Sequence, residues 1–322
     1  MRHVRFLGPA LATAILLAAC SGSSGTAPGA NVSPSTGGVL PNSAARVATV
    51  DLLHDLAQSE PDEQGRPSRI YVTNLGNGTL TTYRPSGAPD NLTIMGLDGP
   101  SAVAVDTAGK IYVTSTSDNL LTTYKRDGTP TRPTITVNLN GPAGVAVDSA
   151  GKIYVTNFGT GSSNGTTLTT YTADGTPTTP TINGLEAPCG VAVDAAGKIY
   201  VTNDRSNTLT TYKPNGTSTT PTLTGLDGPC GVAVDAAGKI YITNSGNGTL
   251  TTYAPNGRPS KLTITGLNVP GGVAVDASGR IYIVNYGGGS GTTLVTYNAN
   301  GKPISPVITG LDAPSGVALW FR

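Results

Sequence analysis

The sequence predicts an all-β protein, a six-bladed β-propeller with four antiparallel strands per blade, closed by one C-terminal strand set against three N-terminal ones. Three observations predict it. An Ile-Tyr pair recurs at Ile70, Ile111, Ile153, Ile199, Ile240 and Ile281, with spacings of 41, 42, 46, 41 and 41 residues, and a period near 40 built from short strands is the signature of a propeller. Each unit holds four runs rich in β-branched residues, bounded by Gly, Pro, Asn or Asp. The strand count is also out of phase with the chain ends. The first unit, Ile70 to Thr73, Thr79 to Tyr83 and Leu92 to Met95, lacks an innermost strand, and the last segment, Gly316-Val317-Ala318-Leu319, is an innermost strand without its unit. Joining the two closes the ring and removes the exposed sheet edges of an open array.

The unit from 143 to 185 serves for all. Strand A is read as Gly144 to Val147, B as Ile153 to Thr156, C as Thr167 to Tyr171 and D as about Thr179 to Ile182. Between A and B, Asp148-Ser149-Ala150-Gly151 predicts a tight hairpin in which Asp bonds the turn backbone and Gly takes a positive φ. The same turn recurs at Asp106, Asp194, Asp235 and Asp276, whereas Trp320 stands in the sixth copy, where the chain needs no turn. These aspartates are therefore read as turn residues and not as catalytic carboxylates. Asp174-Gly175, Asn215-Gly216, Asn256-Gly257 and Asn300-Gly301 make the C-to-D turns.

Composition agrees. Of 322 residues, 37% are hydrophobic and only 12% charged, while 43 Gly and 24 Pro indicate a turn-rich β chain. The formal charge is +1 and falls to −1 without Arg2 and Arg5, which argues against nucleic acid as a partner.

At the N-terminus, Arg2, His3 and Arg5 precede an apolar run from Leu7 to Ala19, followed by Leu17-Ala18-Ala19-Cys20 at its end. This resembles the lipobox of bacterial lipoproteins, which implies a signal peptide over 1–19, cleavage, and acylation of Cys20. The resemblance places the chain at a bacterial cell envelope, lipid-anchored on the exported side of the membrane, and on the outer membrane where there are two, because Ser21 and not Asp follows the cysteine. An ordinary secretory signal is the other reading. Residues 20–68 are read as lipidated cysteine and flexible tether, rich in Gly, Ser, Pro and Ala at first, with weak helical spacing at Val50, Leu53 and Leu56 that predicts a short helix. The propeller takes 69–322, and a monomer is expected.

The recurring Gly-Val-Ala-Val-Asp-x-x-Gly-Lys-Ile-Tyr-Val-Thr-Asn resembles the NHL repeat, and in outline the six-bladed propellers of the streptogramin B lyase and gluconolactonase/regucalcin groups. The resemblance implies the fold over about 69–319; it implies no single function, because such propellers host binding, scaffolding and several chemistries. Streptogramin B lyases rely on a propeller histidine, and here His3 and His54 are the only histidines. A regucalcin-like metal site needs Glu, Asn and Asp near the axis, and Glu186 is the only propeller glutamate.

The A-to-B and C-to-D turns share one face of the ring. It carries Arg69, Lys110, Lys152, Lys198, Lys239 and Arg280, read either as a ring that attracts anions or as solvated charge. The B-to-C and D-to-A loops share the other. There Asn74, Asn157, Asn203, Asn244 and Asn285 end the B strands, Ser115 replacing Asn in the second unit, and Asp98, Asn140, Glu186, Asp227, Asn268 and Asp312 precede the A strands. Two readings stand: oxygens gathered about a central mouth for a sugar, a peptide or a hard cation, or local caps on loop backbone. With Asp204 and Arg205, the longer Gly- and Ser-rich loops Phe158–Gly165 and Tyr286–Gly291 are candidates for partner contacts.

Cys189 and Cys230 fill the same slot of adjacent units, which Ser101, Ala143, Gly271 and Ser315 fill elsewhere. A disulfide and a ring of small packing residues both fit. No Ser-His-Asp or Cys-His set can be assembled. The expectation is a non-catalytic binding or scaffolding module for a protein or glycan partner, membrane-held through its lipid, without cofactor unless Ca²⁺ occupies the mouth. A metal-dependent lactonase or lyase is the alternative.

Overall fold

The computed structural model describes residues 65–160 and 165–322. The signal segment, Cys20, the tether before Gly65, the short helix expected over 47–58 and part of the Phe158–Gly165 loop lie outside the described residues.

Six four-stranded antiparallel sheets stand as blades around an axis. In the third, the strands are Pro142–Val147 (A), Ile153–Asn157 (B), Thr167–Tyr171 (C) and Pro177–Ile182 (D). Strands A and D begin two residues earlier than expected, each on a proline. A proline has no N–H to contribute to a ladder and is tolerated as the first residue of a strand. The carbonyl of Pro142 is in turn bound by Ser101 Oγ and Thr116 Oγ1, both at 2.9 Å.

The first blade is built from both chain ends. Arg69–Asn74, Thr79–Tyr83 and Pro89–Ile94 follow one another, and Pro314–Trp320 adds the inner strand, pairing Tyr71 with Ala318 and Val72 with Val317. The junction is sealed by the Gly316 amide, which donates to Thr73 Oγ1 at 2.8 Å, and by Ser315 Oγ, which reaches the Pro100 carbonyl of the second blade at 2.8 Å.

Strand B reads Ile-Tyr-Val-Thr-Asn because both of its faces are buried between blades, and side chains alternate along a strand. Ile111 and Val113 pack back against Tyr71 and Leu80 of the first blade, while Tyr112 packs forward with Val145 and Ile153 of the third. The core is thus a circle of inter-blade clusters, each buried large side chain contributing about 1.5–3 kcal/mol.

Threonine in strand B straps neighbouring blades. Thr202 Oγ1 accepts the Gly190 amide of its own inner strand at 2.8 Å and donates to the Cys230 carbonyl of the next at 2.6 Å. Thr156 and Thr243 repeat the pattern on Cys189 and Gly271. In the last blade the position is Val284, fully buried, and this strap is missing.

At the rim, the outer strand of each blade packs on the C-to-D turn glycine of the next. A Cβ on Gly216 would lie 2.5 Å from Pro180 Cβ, and one on Gly87 lies equally close to Pro306, so the seal crosses the chain ends unchanged. These turn glycines have φ near +85°, a conformation that glycine alone adopts without strain.

Candidate functional site

The A-to-B turn aspartates do more than hold a hairpin. Asp194 Oδ1 accepts the amides of Ala196 and Lys198 at 3.0 and 2.9 Å, and Oδ2 accepts the Tyr200 hydroxyl at 3.0 Å. The same Asp–Tyr pair is made by Asp106, Asp148, Asp235 and Asp276. Burial and the adjacent carboxylate both push the Tyr200 hydroxyl up, so it stays protonated and donates. Lys198 Nζ then lies 5.1 Å from the Tyr200 ring centroid, and Lys110, Lys152 and Lys239 sit over Tyr112, Tyr154 and Tyr241 in the same way. Blade one has Trp320 in place of the aspartate. There the Tyr71 hydroxyl is buried without a hydrogen-bond partner, Arg69 hovers over the Tyr71 ring, and Arg126 lies 5.2 Å from the Trp320 ring.

On the opposite face, the asparagines that end strand B point inward. Asn74, Asn157, Asn203 and Asn244 are at most 2% exposed. Asn74 Nδ2 donates to Thr79 and Thr81, and its Oδ1 accepts the Asp312 amide at 3.3 Å. Asn157 holds Asn140 and Thr167 in the same manner, Asn244 holds Asp227, Thr249 and Thr251, and Asn285 holds Asn268 and Thr293. Asn203 donates to Thr208 and Thr210, but its Oδ1 is buried without a partner. These amides fix the loops that frame the mouth.

The residues those loops display are Asp98, Asn140, Glu186, Asp227, Asn268 and Asp312, all exposed. Each is followed by a residue in the left-handed region, Gly99, Gly141, Ala187, Gly228, Val269 or Ala313, with φ between +44° and +61°. The carbonyl of that residue accepts the backbone N–H of the residue immediately after strand B. The six donors are Leu75, Thr116, Phe158, Asp204, Ser245 and Tyr286, at 2.9–3.2 Å.

Asp204, Phe158 and Tyr286 were among the candidates in the sequence, but Leu75, Thr116 and Ser245, and the equivalence of all six, were missed although the signal was there. The backbone is pinned identically in all six blades, every side chain is half-buried, and no two of the six residues are alike. Thr116 Oγ1 reaches across to the next blade, and Ser245 Oγ bonds the Gly228 carbonyl at 2.6 Å. Asp204 turns toward the next loop, its Oδ1 3.4 Å from where a Cβ on Gly228 would stand. Burial, and secondarily the Asp227 carboxylate, hold the Asp204 carboxyl above the usual range. Asp118 is raised in the same direction by desolvation and by Asp98.

Asp204 and Asp227 are thus two of the oxygen donors expected at the mouth. Among the described residues no three Asp, Glu, His or Cys side chains come together as a metal cluster. A cavity of about 490 Å³ opens on this face beside the third blade, lined by Asn138, Asn140, Asn157, Thr167 and Thr169 among others. On the axial wall, Cys189 and Cys230 of adjacent inner strands are joined as a disulfide, with Cα atoms 5.0 Å apart.

Residues 139–163 match the NHL repeat. The match spans the A and B strands of the third blade. No curated protein matches the chain by sequence. Solved structures do match in shape. A nidogen/laminin complex aligns with a TM-score of 0.64 at 18% identity, over 78% of this chain and 97% of that one. A protein of unknown function from Bacteroides caccae gives 0.63 at 14% identity, over 78% and 98%. A catalytically inactive virginiamycin B lyase from Staphylococcus aureus, with quinupristin, gives 0.56 at 12% identity, over 76% and 85%. Likeness at these identities carries the fold.

Proposed function

We propose that the chain is a cell-envelope lipoprotein, anchored through Cys20 on the exported side of the membrane, whose propeller is a non-catalytic binding or scaffolding module for a protein or glycan partner. The observation that supports this reading is the ring of six unlike residues, Leu75, Thr116, Phe158, Asp204, Ser245 and Tyr286, on six identically pinned backbones. Repetition elsewhere maintains the ring; unlike side chains at one rim position give it an asymmetric surface, which recognition needs. Leu75 and Tyr286 belong to neighbouring blades and make an apolar side, and Asp204 with Asp227 makes an acidic side nearly opposite.

The test is saturable binding of the full chain to arrayed glycans and purified envelope proteins, beside a variant carrying Leu75→Ala, Phe158→Ala and Tyr286→Ala. The expected result is a specific ligand whose affinity falls at least tenfold in the variant, since each lost apolar contact is worth about 1 kcal/mol or more. Binding that ignores the substitutions, or no saturable ligand at all, overturns the reading.

A second reading, a metal-dependent lactonase or lyase, is favoured by one observation, the Asp204 and Asp227 carboxylates set side by side at the mouth. It predicts Ca²⁺ or Mg²⁺ in the purified protein and turnover that is lost on chelation.

A further inference from the structure

We propose that the face carrying the A-to-B and C-to-D turns docks on an anionic lipid bilayer, so that the mouth with its unlike rim is presented away from the membrane. Two independent observations lead there. The first is an uneven division of charge between the two faces. The loops of the mouth hold Asp98, Asp118, Glu186, Asp204, Asp227 and Asp312 against a single cation, Arg205. Arg69 and the turns of the other face supply twelve Lys and Arg against seven Asp in those turns, Arg69 being ion-paired with Asp90 at 2.6 Å. Five of its aspartates are engaged by turn amides and tyrosine hydroxyls. Its cations stand in every blade: Lys or Arg before each B strand, and Arg84, Lys125, Arg126, Lys213, Arg258 or Lys302 in all C-to-D turns except that of the third blade. Basic residues spread over one flat face fit a surface of fixed negative charge, and each near such a surface adds to the attraction.

The second observation is where the chain leaves the ring. Strand B of the first blade starts at Arg69 on the turn face, and before it Gly65 lies against Ala277 and Ser278, the A-to-B turn of the last blade. The described chain therefore begins on the basic face. A lipid on Cys20 would hold the propeller within reach of a bilayer, on which the charges of that face act within a Debye length of about 8–10 Å. To this extent the inference rests on the lipoprotein reading, but the charge division does not depend on it.

Trp320 is the only tryptophan. It ends the closing strand on the turn face, about 17–20 Å from the mouth at one strand length. Energy transfer from Trp320 to dansyl headgroups therefore reports which face meets the lipid. The full chain, as processed by its host, is mixed with phosphatidylcholine vesicles, with or without a third of phosphatidylglycerol, at low and high salt. The expected result is strong transfer on anionic vesicles at low salt. It drops at least twofold on neutral vesicles, in high salt, and in a variant with Lys125→Gln, Lys213→Gln, Arg258→Gln and Lys302→Gln, all exposed side chains. Asp227→Asn with Asp312→Asn leaves it unchanged. Sedimentation with vesicles in high salt reads the anchor separately. If Cys20 carries no lipid, sedimentation in high salt is lost while low-salt transfer on anionic vesicles persists, which still supports docking. Transfer equal on neutral and anionic vesicles in an anchored protein overturns it. So does saturable binding to a soluble polyphosphate without transfer on vesicles, which would assign the face to an anionic polymer.

Discussion

At the residue scale, one tyrosine position shows what a single hydrogen bond contributes. Tyr200 donates to Asp194 at 3.0 Å, whereas Tyr71, its counterpart in the closing blade, is buried with no partner for its hydroxyl. Tyr200→Phe leaves a carboxylate oxygen short of a donor and should cost about 1 kcal/mol, lowering Tm by about 2–4 °C in a ring of this size. Tyr71→Phe removes an unpartnered polar group and should be neutral or slightly stabilising, as thermal denaturation of the two variants will show. Asp204 permits a pH test. Its carboxyl is raised by burial and then by Asp227, so the folded state binds the proton more tightly than the unfolded one. Stability is then lost as pH rises from the ordinary Asp value of about 3.9 through the folded value. Asp204→Asn should therefore raise Tm at pH 7, and the gain should vanish below about pH 4. A gain of equal size at both pH values would contradict the electrostatic cause.

At the scale of the element, strand B carries both the regularity and its lapses. The Thr202 hydroxyl bridges Gly190 and Cys230, and Val284 stands in the same place without a hydroxyl, its Cγ2 beside Gly271. Thr202→Val should cost about 1–3 kcal/mol by orphaning two backbone groups, and Val284→Thr should gain about 0.5–1.5 kcal/mol if its hydroxyl adds a strap from the last blade to the closing strand. Denaturant midpoints measure both. Much of this element was legible in the sequence. Ile-Tyr-Val-Thr-Asn announced a strand, the Asp-x-x-Gly turn announced its hairpin, and Trp320 in the sixth copy announced the missing turn. What stayed hidden was tertiary. An asparagine at a strand end reads equally as a ligand or as a brace, and only the inward turn of Asn74 and its contacts with Thr79, Thr81 and Asp312 distinguish a brace. The aspartate's second oxygen was likewise assigned to the turn alone, because nothing local reveals that Tyr six residues later returns to it. The unlike residue after each B strand was visible, but variation draws attention only once the six backbones are seen to be pinned alike.

At the scale of the whole molecule, the strand count carried the closure, since three strands at one end and one at the other leave no other partner for Pro314–Trp320. The pairing of Cys189 with Cys230 was not decidable from spacing, because inner strands converge only when the ring is drawn; the Cα separation of 5.0 Å lies inside disulfide range. Both the acidic mouth and the basic turn face depend on that closure, because it places Arg69 and Trp320 at one end of the axis and Leu75 and Asp312 at the other. The most direct measurement is amide hydrogen exchange in the intact chain, comparing residues 315–320 with the inner strands Pro188–Val193 and Pro229–Val234. The ring predicts protection of the closing strand equal to theirs. Exchange there at the rate of a frayed terminus, beside protected inner strands elsewhere, would contradict it.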